Sequence, residues 1–416
     1  MSLNKRIYLG IEGGSDMDNT KIKVEILPNY FLKDDGTFDK KGAMKQSGQI
    51  AGICYSKDGF SALKDEDESK TMKRVSRTLY SGHHSVFDHV LINFNLQNLP
   101  KALAMVLNNE HQYTTSEKSA RYTKVERKEG SIITEVEEKL YNKWVKLFEM
   151  KIRDKYGSFY GDTKIRKLAQ ENARYLVTVF MPTEMIYSTS FRQINYLVSW
   201  MQEYIENADK SDYFESNLAS AMGAFINELD RVGVLEEGLL DNEKHRKLSL
   251  FGNELDKKEE YFGDVYSTNY SATLAFLAQA QRHRTLDYQM EMTYDNGFYV
   301  PPIIADDPAL VEEWLCDMFD VKEVIPQGEL VRINEIGKYD DFVLKCKERL
   351  CTDAQLEIMQ QTKDTLLKYK NALEEKSSPL ASDIEKYTHG ARCTFSDFEC
   401  KSPCKNKEGK RLVRKI

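Results

Sequence analysis

The sequence predicts an α+β chain whose second half repeats its first in outline, and three observations carry that prediction. A length of 416 residues exceeds what one ordinary core holds, so two domains are expected. Runs of period-two alternation such as VLINFNLQNL stand beside longer runs of helix formers, so both strands and helices belong to the chain. Finally, LAMVLNNEHQYTTSEKSARYTKV from Leu103 can be laid on LAFLAQAQRHRTLDYQMEMTYDN from Leu274. In the same order, FMPTEMIYSTSFRQINYLVSW can be laid on VIPQGELVRINEIGKYDDFVL.

Taken in order, residues 1–48 form an N-terminal extension with a strand-like stretch, KIKVEILPNYF, and a turn-rich one, KDDGTFDKKG. TMKRVSRTLYSG reads as a helix stopped at Gly82, and VLINFNLQNL as a half-buried strand. Pro100 opens the helix PKALAMVLNNEHQ, since a first-turn N–H has no intrahelical partner to lose. TTSEKSARYTK has strand-turn character, and a long helical region follows to about residue 181. Arg174 lies in its apolar stretch ENARYLVTVFMP, where an arginine is expected to pair with a carboxylate or to snorkel. Residues 189–232 continue helical, and the charged stretch DRVGVLEEGLLDNEKHRKLSLFGNELDKKEE carries the domain junction. The expected division is 49–235 for the first repeat, 236–385 for the second and 386–416 for a Cys-rich basic tail. In the second repeat, ATLAFLAQAQRHR reads as a buried helix ending in three potential cations. Those cations either complement the helix dipole or face an anion.

Hydrophobic residues at 41% and charged residues at 30% describe a globular protein. A net charge of −7 argues against a polynucleotide partner but leaves room for an anion site in a cleft. No run approaches the roughly 18 apolar residues of a membrane span, and the N-terminal stretch lacks a long apolar core, so no membrane partner and a cytoplasmic location are expected.

Gly82-His83-His84-Ser85-Val86-Phe87-Asp88-His89, then a strand, a helix and Glu117-Lys118-Ser119-Ala120-Arg121-Tyr122, resembles the flavin-dependent thymidylate synthases in order and spacing. Where that family has Arg-His-Arg, the first half has Asn109-Glu110-His111. The second half keeps Arg282-His283-Arg284 with Gln279 before it, but has Met292 where the family has Ser. Downstream, Arg349 and the segment Ala354-Gln355-Leu356-Glu357-Ile358 are similar to the family's late arginine and its Ala-Gln-Trp-Glu-Ile.

The resemblance implies helices packed on mainly antiparallel sheet, in two diverged copies of one domain that complete one composite site. It implies methylation of dUMP to dTMP with FAD, NADPH as reductant and methylenetetrahydrofolate as the folate one-carbon donor. Catalysis would rest on Arg282 and Arg349, which stabilise an ionised pyrimidine. Glu117, Ser119, Arg121, Gln279 and Arg174 would bind the nucleotide, with Ser119 and Arg121 on the phosphate. Either Arg174 or Lys322 would supply a further positive charge to that phosphate. Arg282, His283, Arg284, Ser85, Asp88 and His83 would hold the flavin. A homodimer of the fused chain would imitate the family's tetramer. Two alternatives stand beside this one: a related pyrimidine-nucleotide hydroxymethylase or other modifying enzyme, and a catalytically degenerate nucleotide-binding or interaction protein.

In the tail, His389, Cys393, Cys400 and Cys404 place four soft or borderline ligands within sixteen residues, enough for a tetrahedral Zn site. Three free thiols in a basic tail are the competing reading.

Overall fold

The computed structural model describes residues 22–119, 124–127, 131–242 and 246–416. The chain divides into two compact units. The first comprises the described residues within Met1–Lys118, Gly130–Ile132 and Phe180–Leu248, the second those within Ser119–Glu129, Ile133–Val179 and Ser249–Ile416.

The first unit is built on a four-stranded antiparallel sheet of β1 (Lys23–Ile26), β2 (Leu91–Pro100), β3 (Thr114–Glu117) and β4 (Pro182–Ser190), in the order β1-β2-β4-β3. The alternation read in β2 is real: Ile92, Phe94 and Leu96 are fully buried and share one face. Phe94 pairs with Tyr187, and the register slips between Leu96 and Leu99. Asn98 there takes φ 54°, a left-handed conformation that asparagine tolerates. β2 runs directly into the helix Lys101–Leu107, buried on every side. Pro100 is therefore the last strand residue and the helix cap rather than a first-turn residue, and the helix stops at Leu107, well short of His111. β4 runs directly into the helix Phe191–Asn207, capped by the Ser190 hydroxyl, which accepts from Gln193 N at 3.0 Å. The helix ending at Tyr80 is followed by Gly82 at φ +71°, as the sequence predicts.

The second unit holds a sheet of β5 (Tyr261–Phe262), β6 (Val265–Thr273), β7 (Asp287–Glu291) and β8 (Leu330–Lys338), antiparallel and ordered β5-β6-β8-β7. This is the strand order of the first sheet. Here too the second strand feeds a seven-residue buried helix, Leu274–Ala280, and the fourth feeds a helix, Tyr339–Arg349. The helices Glu135–Tyr156 and Asp162–Ala173 belong to this unit although they precede β4 in the chain. Buried aromatic rings explain the assignment. Trp144 meets Trp314 edge-on at 4.8 Å, and its Nε1 donates to Asp317 at 2.6 Å. Val179 N donates to Ile325 O at 2.9 Å, and Gln327 N to Val177 O at 2.8 Å. The fold is thus α+β, with helices and two antiparallel sheets. No helix among the described residues is long and apolar enough to cross a membrane.

Candidate functional site

The Arg-His-Arg cluster does not lie in a helix. Leu274–Ala280 ends before it, because Gln281 caps the helix and His283 N turns back to donate to Ala280 O at 2.9 Å. The expected run of helix through Arg284 is corrected to a turn that presents the three side chains differently. Arg282 and Arg284 are exposed, whereas His283 is buried. Arg349, 66 residues on and at the end of its own helix, donates from Nε to His283 Nε2 at 2.5 Å. That bond makes Nε2 an acceptor and places the ring proton on Nδ1, which faces Glu348 Oε2 at 3.5 Å.

His283 is uncharged. Burial, then the Arg349 and Lys345 cations, push its pKa down to about 2. The approach of Glu348 is accordingly a long contact to a neutral ring and not an ion pair, and the cluster carries two cations rather than three. Lys345, one helical turn before Arg349, is fully buried against Glu335 at 2.6 Å. Glu335 also accepts from the Tyr266 hydroxyl at 2.6 Å and from Tyr270 at 2.5 Å. Sequence reading missed this network, although the four-residue spacing of Lys345 and Arg349 on one helix face is visible in it.

The late motif holds the other end of the same helix. Glu357 accepts from Thr273 N at 2.8 Å and from the Thr273 hydroxyl at 2.7 Å, and Thr273 in turn caps Phe276 N at 2.9 Å. Tyr175 donates to Glu357 at 3.0 Å, and Gln355 Nε2 donates to the Tyr175 oxygen at 2.8 Å. Burial raises the Glu357 carboxyl pKa against these hydrogen bonds and the neighbouring Arg174. Arg174 is itself buried, and its charge acts on Tyr141, Tyr175 and Glu357, lowering the pKa of each against the effect of burial. Lys322 lies elsewhere, over the Phe319 ring at 3.9 Å. Gln279 is buried in the last turn of the short helix.

The remaining predicted residues are held as follows. Glu117, in the first unit, pairs with Lys101 at 2.5 Å, both nearly buried. Ser119 belongs to the second unit and is half-buried, while Arg121 lies outside the described residues. Asp88 accepts from the Ser190 hydroxyl at 2.6 Å and pairs with Arg192 at 2.7 Å; His83 and Ser85 are exposed. At the first unit's counterpart of the Arg-His-Arg turn, Glu110 is fully buried and paired with Arg246 at 2.5 Å, whose guanidinium stacks on Trp200 at 3.6 Å. In the tail, Cys393, Cys400 and Cys404 line one cavity, but His389 does not: its side chain is 62% exposed and 4.0 Å from Glu385. No three His, Cys, Asp or Glu side chains among the described residues already converge on an ion position.

The thymidylate synthase complementing protein family matches residues 38–202, which bears out the resemblance read from the Gly-His and Glu-x-Ser-x-Arg-Tyr segments. No curated protein matches the chain. Among solved structures, the UMP/dUMP methylase PolB of Streptomyces cacaoi, bound with 5-Br dUMP, is similar at 13% identity. That alignment covers 54% of this chain and 96% of that one, with a TM-score of 0.34. Thymidylate Synthase X of Helicobacter pylori, with FAD and dUMP, is 17% identical over 53% of this chain and 99% of its own, with a TM-score of 0.30.

Proposed function

We propose, for a chain whose residues 38–202 match the thymidylate synthase complementing protein family, that it is a nucleotide-methylating flavoenzyme converting dUMP to dTMP. The observation that carries the reading is the meeting of Arg349 with His283, two motif residues distant in sequence and joined in one hydrogen bond. Arg282 and Arg284, exposed on either side of that buried neutral ring, form a donor set suited to an anionic diphosphate such as that of FAD. The flavin, when bound, supplies the hydride chemistry, with NADPH as reductant and methylenetetrahydrofolate as carbon donor.

The chain's own contribution is electrostatic. Arg349, its Nε donating to His283 and its Nη2 3.9 Å from Glu348, would turn its guanidinium toward the pyrimidine, where negative charge develops on ionisation. Ser119 and Arg121 hold the nucleotide phosphate. The shared strand order of the two sheets supports a diverged duplication. The buried Glu110, standing where a guanidinium is expected, supports the loss of function in one copy.

The test is dUMP binding to the purified, FAD-loaded protein by calorimetry. Arg282→Ala and Ser119→Ala are each expected to weaken binding by about tenfold or more, the loss of one charge-assisted contact. If neither changes the affinity, or if the protein takes up no FAD, the reading fails in favour of a non-catalytic binding protein.

A further inference from the structure

The second unit gathers four cysteines around one cavity of about 220 Å³. Cys351, Cys393, Cys400 and Cys404 all line it, and all four are free thiols. Three are close in sequence, but Cys351 is more than forty residues away. It is delivered by the turn that follows the helix Tyr339–Arg349.

Backbone contacts fasten the tail to that turn. Arg392 N donates to Leu350 O at 2.7 Å, Arg392 Nη1 donates to Lys347 O at 3.2 Å, and Ala391 N donates to Lys410 O at 2.8 Å. Gly409 passes so close to Thr352 that a Cβ there would stand 1.9 Å from its methyl carbon. The juxtaposition of Cys351 with the tail is therefore built by tight packing on both sides of the cavity.

We propose that Cys351, Cys393, Cys400 and Cys404 form a tetrathiolate zinc site that locks the tail onto the segment carrying Arg349. Soft thiolates select zinc over magnesium or calcium, and four of them close a structural tetrahedral site with no open position. Each thiol gives up its proton to solvent as the ion binds, with no change in oxidation state. Arg392 and Lys410, which line the same cavity, offset the negative charge of four thiolates around a divalent ion. Residues 399–406, which carry Cys400 and Cys404, lie outside any helix or strand. Irregular backbone there can adjust to bring the two sulfurs to the roughly 2.3 Å zinc–sulfur bonds that a tetrahedral site requires. Cys351 replaces His389 as fourth ligand, because the imidazole faces solvent and Glu385 instead.

The consequence lies two residues upstream. Arg349 touches His283, so a metal bond at Cys351 fixes the arginine that the proposed chemistry places at the pyrimidine. Arg349 is positioned by the metal, and only this positioning role rests on the proposed function.

The full chain, purified from zinc-supplemented cells, is expected to carry one zinc per chain by elemental analysis. Reconstitution with cobalt should give thiolate-to-cobalt charge transfer and the intense d–d bands of a four-sulfur tetrahedron. Cys351→Ser and Cys404→Ser should each leave the zinc substoichiometric after dialysis, while His389→Ala keeps it. Cys404→Ser, in the irregular tail, serves if Cys351→Ser does not fold. Three outcomes would overturn the site: no zinc or cobalt taken up by the full chain, a mass two hydrogens lighter showing a disulfide among these cysteines, or zinc lost in His389→Ala and kept in Cys351→Ser. None of these readouts depends on dUMP or FAD, so the zinc site and the enzymatic reading fail separately.

Discussion

At the scale of single residues, the cluster that joins the two motifs centres on a histidine kept neutral beside cations. His283 loses its charge to burial first and to Arg349 and Lys345 second, and the exposed Glu348 stands 3.5 Å from its Nδ1. Its folded pKa of about 2 lies below the ordinary 6.5, so between those values the unfolded chain binds a proton that the folded chain refuses. The contribution of His283 is complete above pH 6.5 and is lost as the pH falls, by up to about 1.4 kcal/mol per pH unit. Buried carboxylates such as Glu137 and Glu357, whose pKa values are raised, contribute with the opposite sign. A comparison of the parent with His283→Gln therefore isolates the histidine. Denaturant melts from pH 7 to 4.5 should fall more steeply in the parent; parallel curves would show that His283 is protonated in the folded protein. His283 and Arg349 were legible from the motifs, whereas Lys345 and the charge of His283 were not, because burial decides both.

At the scale of elements, the helix Leu274–Ala280 is too short to stand alone and is held at both ends by one downstream segment. Glu357 fixes its start through Thr273, and Arg349 fixes the turn after its end through His283. Sequence alone suggested a longer helix with three cations on its terminus, since Ala, Leu and Gln carry no stop signal. The stop comes from tertiary contacts, as His283 is drawn into the interior. Thr273→Ala removes a cap bond of 2.9 Å and a bond of 2.7 Å to the buried Glu357. A loss of about 1–3 kcal/mol is expected, read as a lower denaturant midpoint at unchanged slope. Thr273→Ser keeps the hydroxyl and should retain most of the stability; equal losses in the two variants would exclude the hydroxyl as the cause.

At the scale of the whole molecule, the units do not follow chain order. Residues 133–179 precede β4 of the first sheet yet pack with the second unit, through Trp144, Trp314 and Asp317. A fragment of residues 236–416 would lack the helices Glu135–Tyr156 and Asp162–Ala173 and expose the partners of Trp144. It is expected to melt without cooperativity by circular dichroism, and a fusion with residues 131–179 should restore a sharp transition. A cooperative melt of the fragment alone would show that those helices are dispensable to the unit.

By itself the sequence determined the α+β class, the alternating strand β2, the Arg-His-Arg and Glu-x-Ser-x-Arg-Tyr motifs, and the internal echo of one half in the other. Those features are local, written in periodicity and spacing that each residue carries wherever it goes. The tertiary structure alone decided that His283 is neutral, that Arg349 meets it, that Cys351 rather than His389 joins the tail cysteines, and that residues 133–179 serve the second unit. Each of these depends on burial or on contacts between residues tens of positions apart, and such contacts are set by packing the chain rather than by any stretch of it.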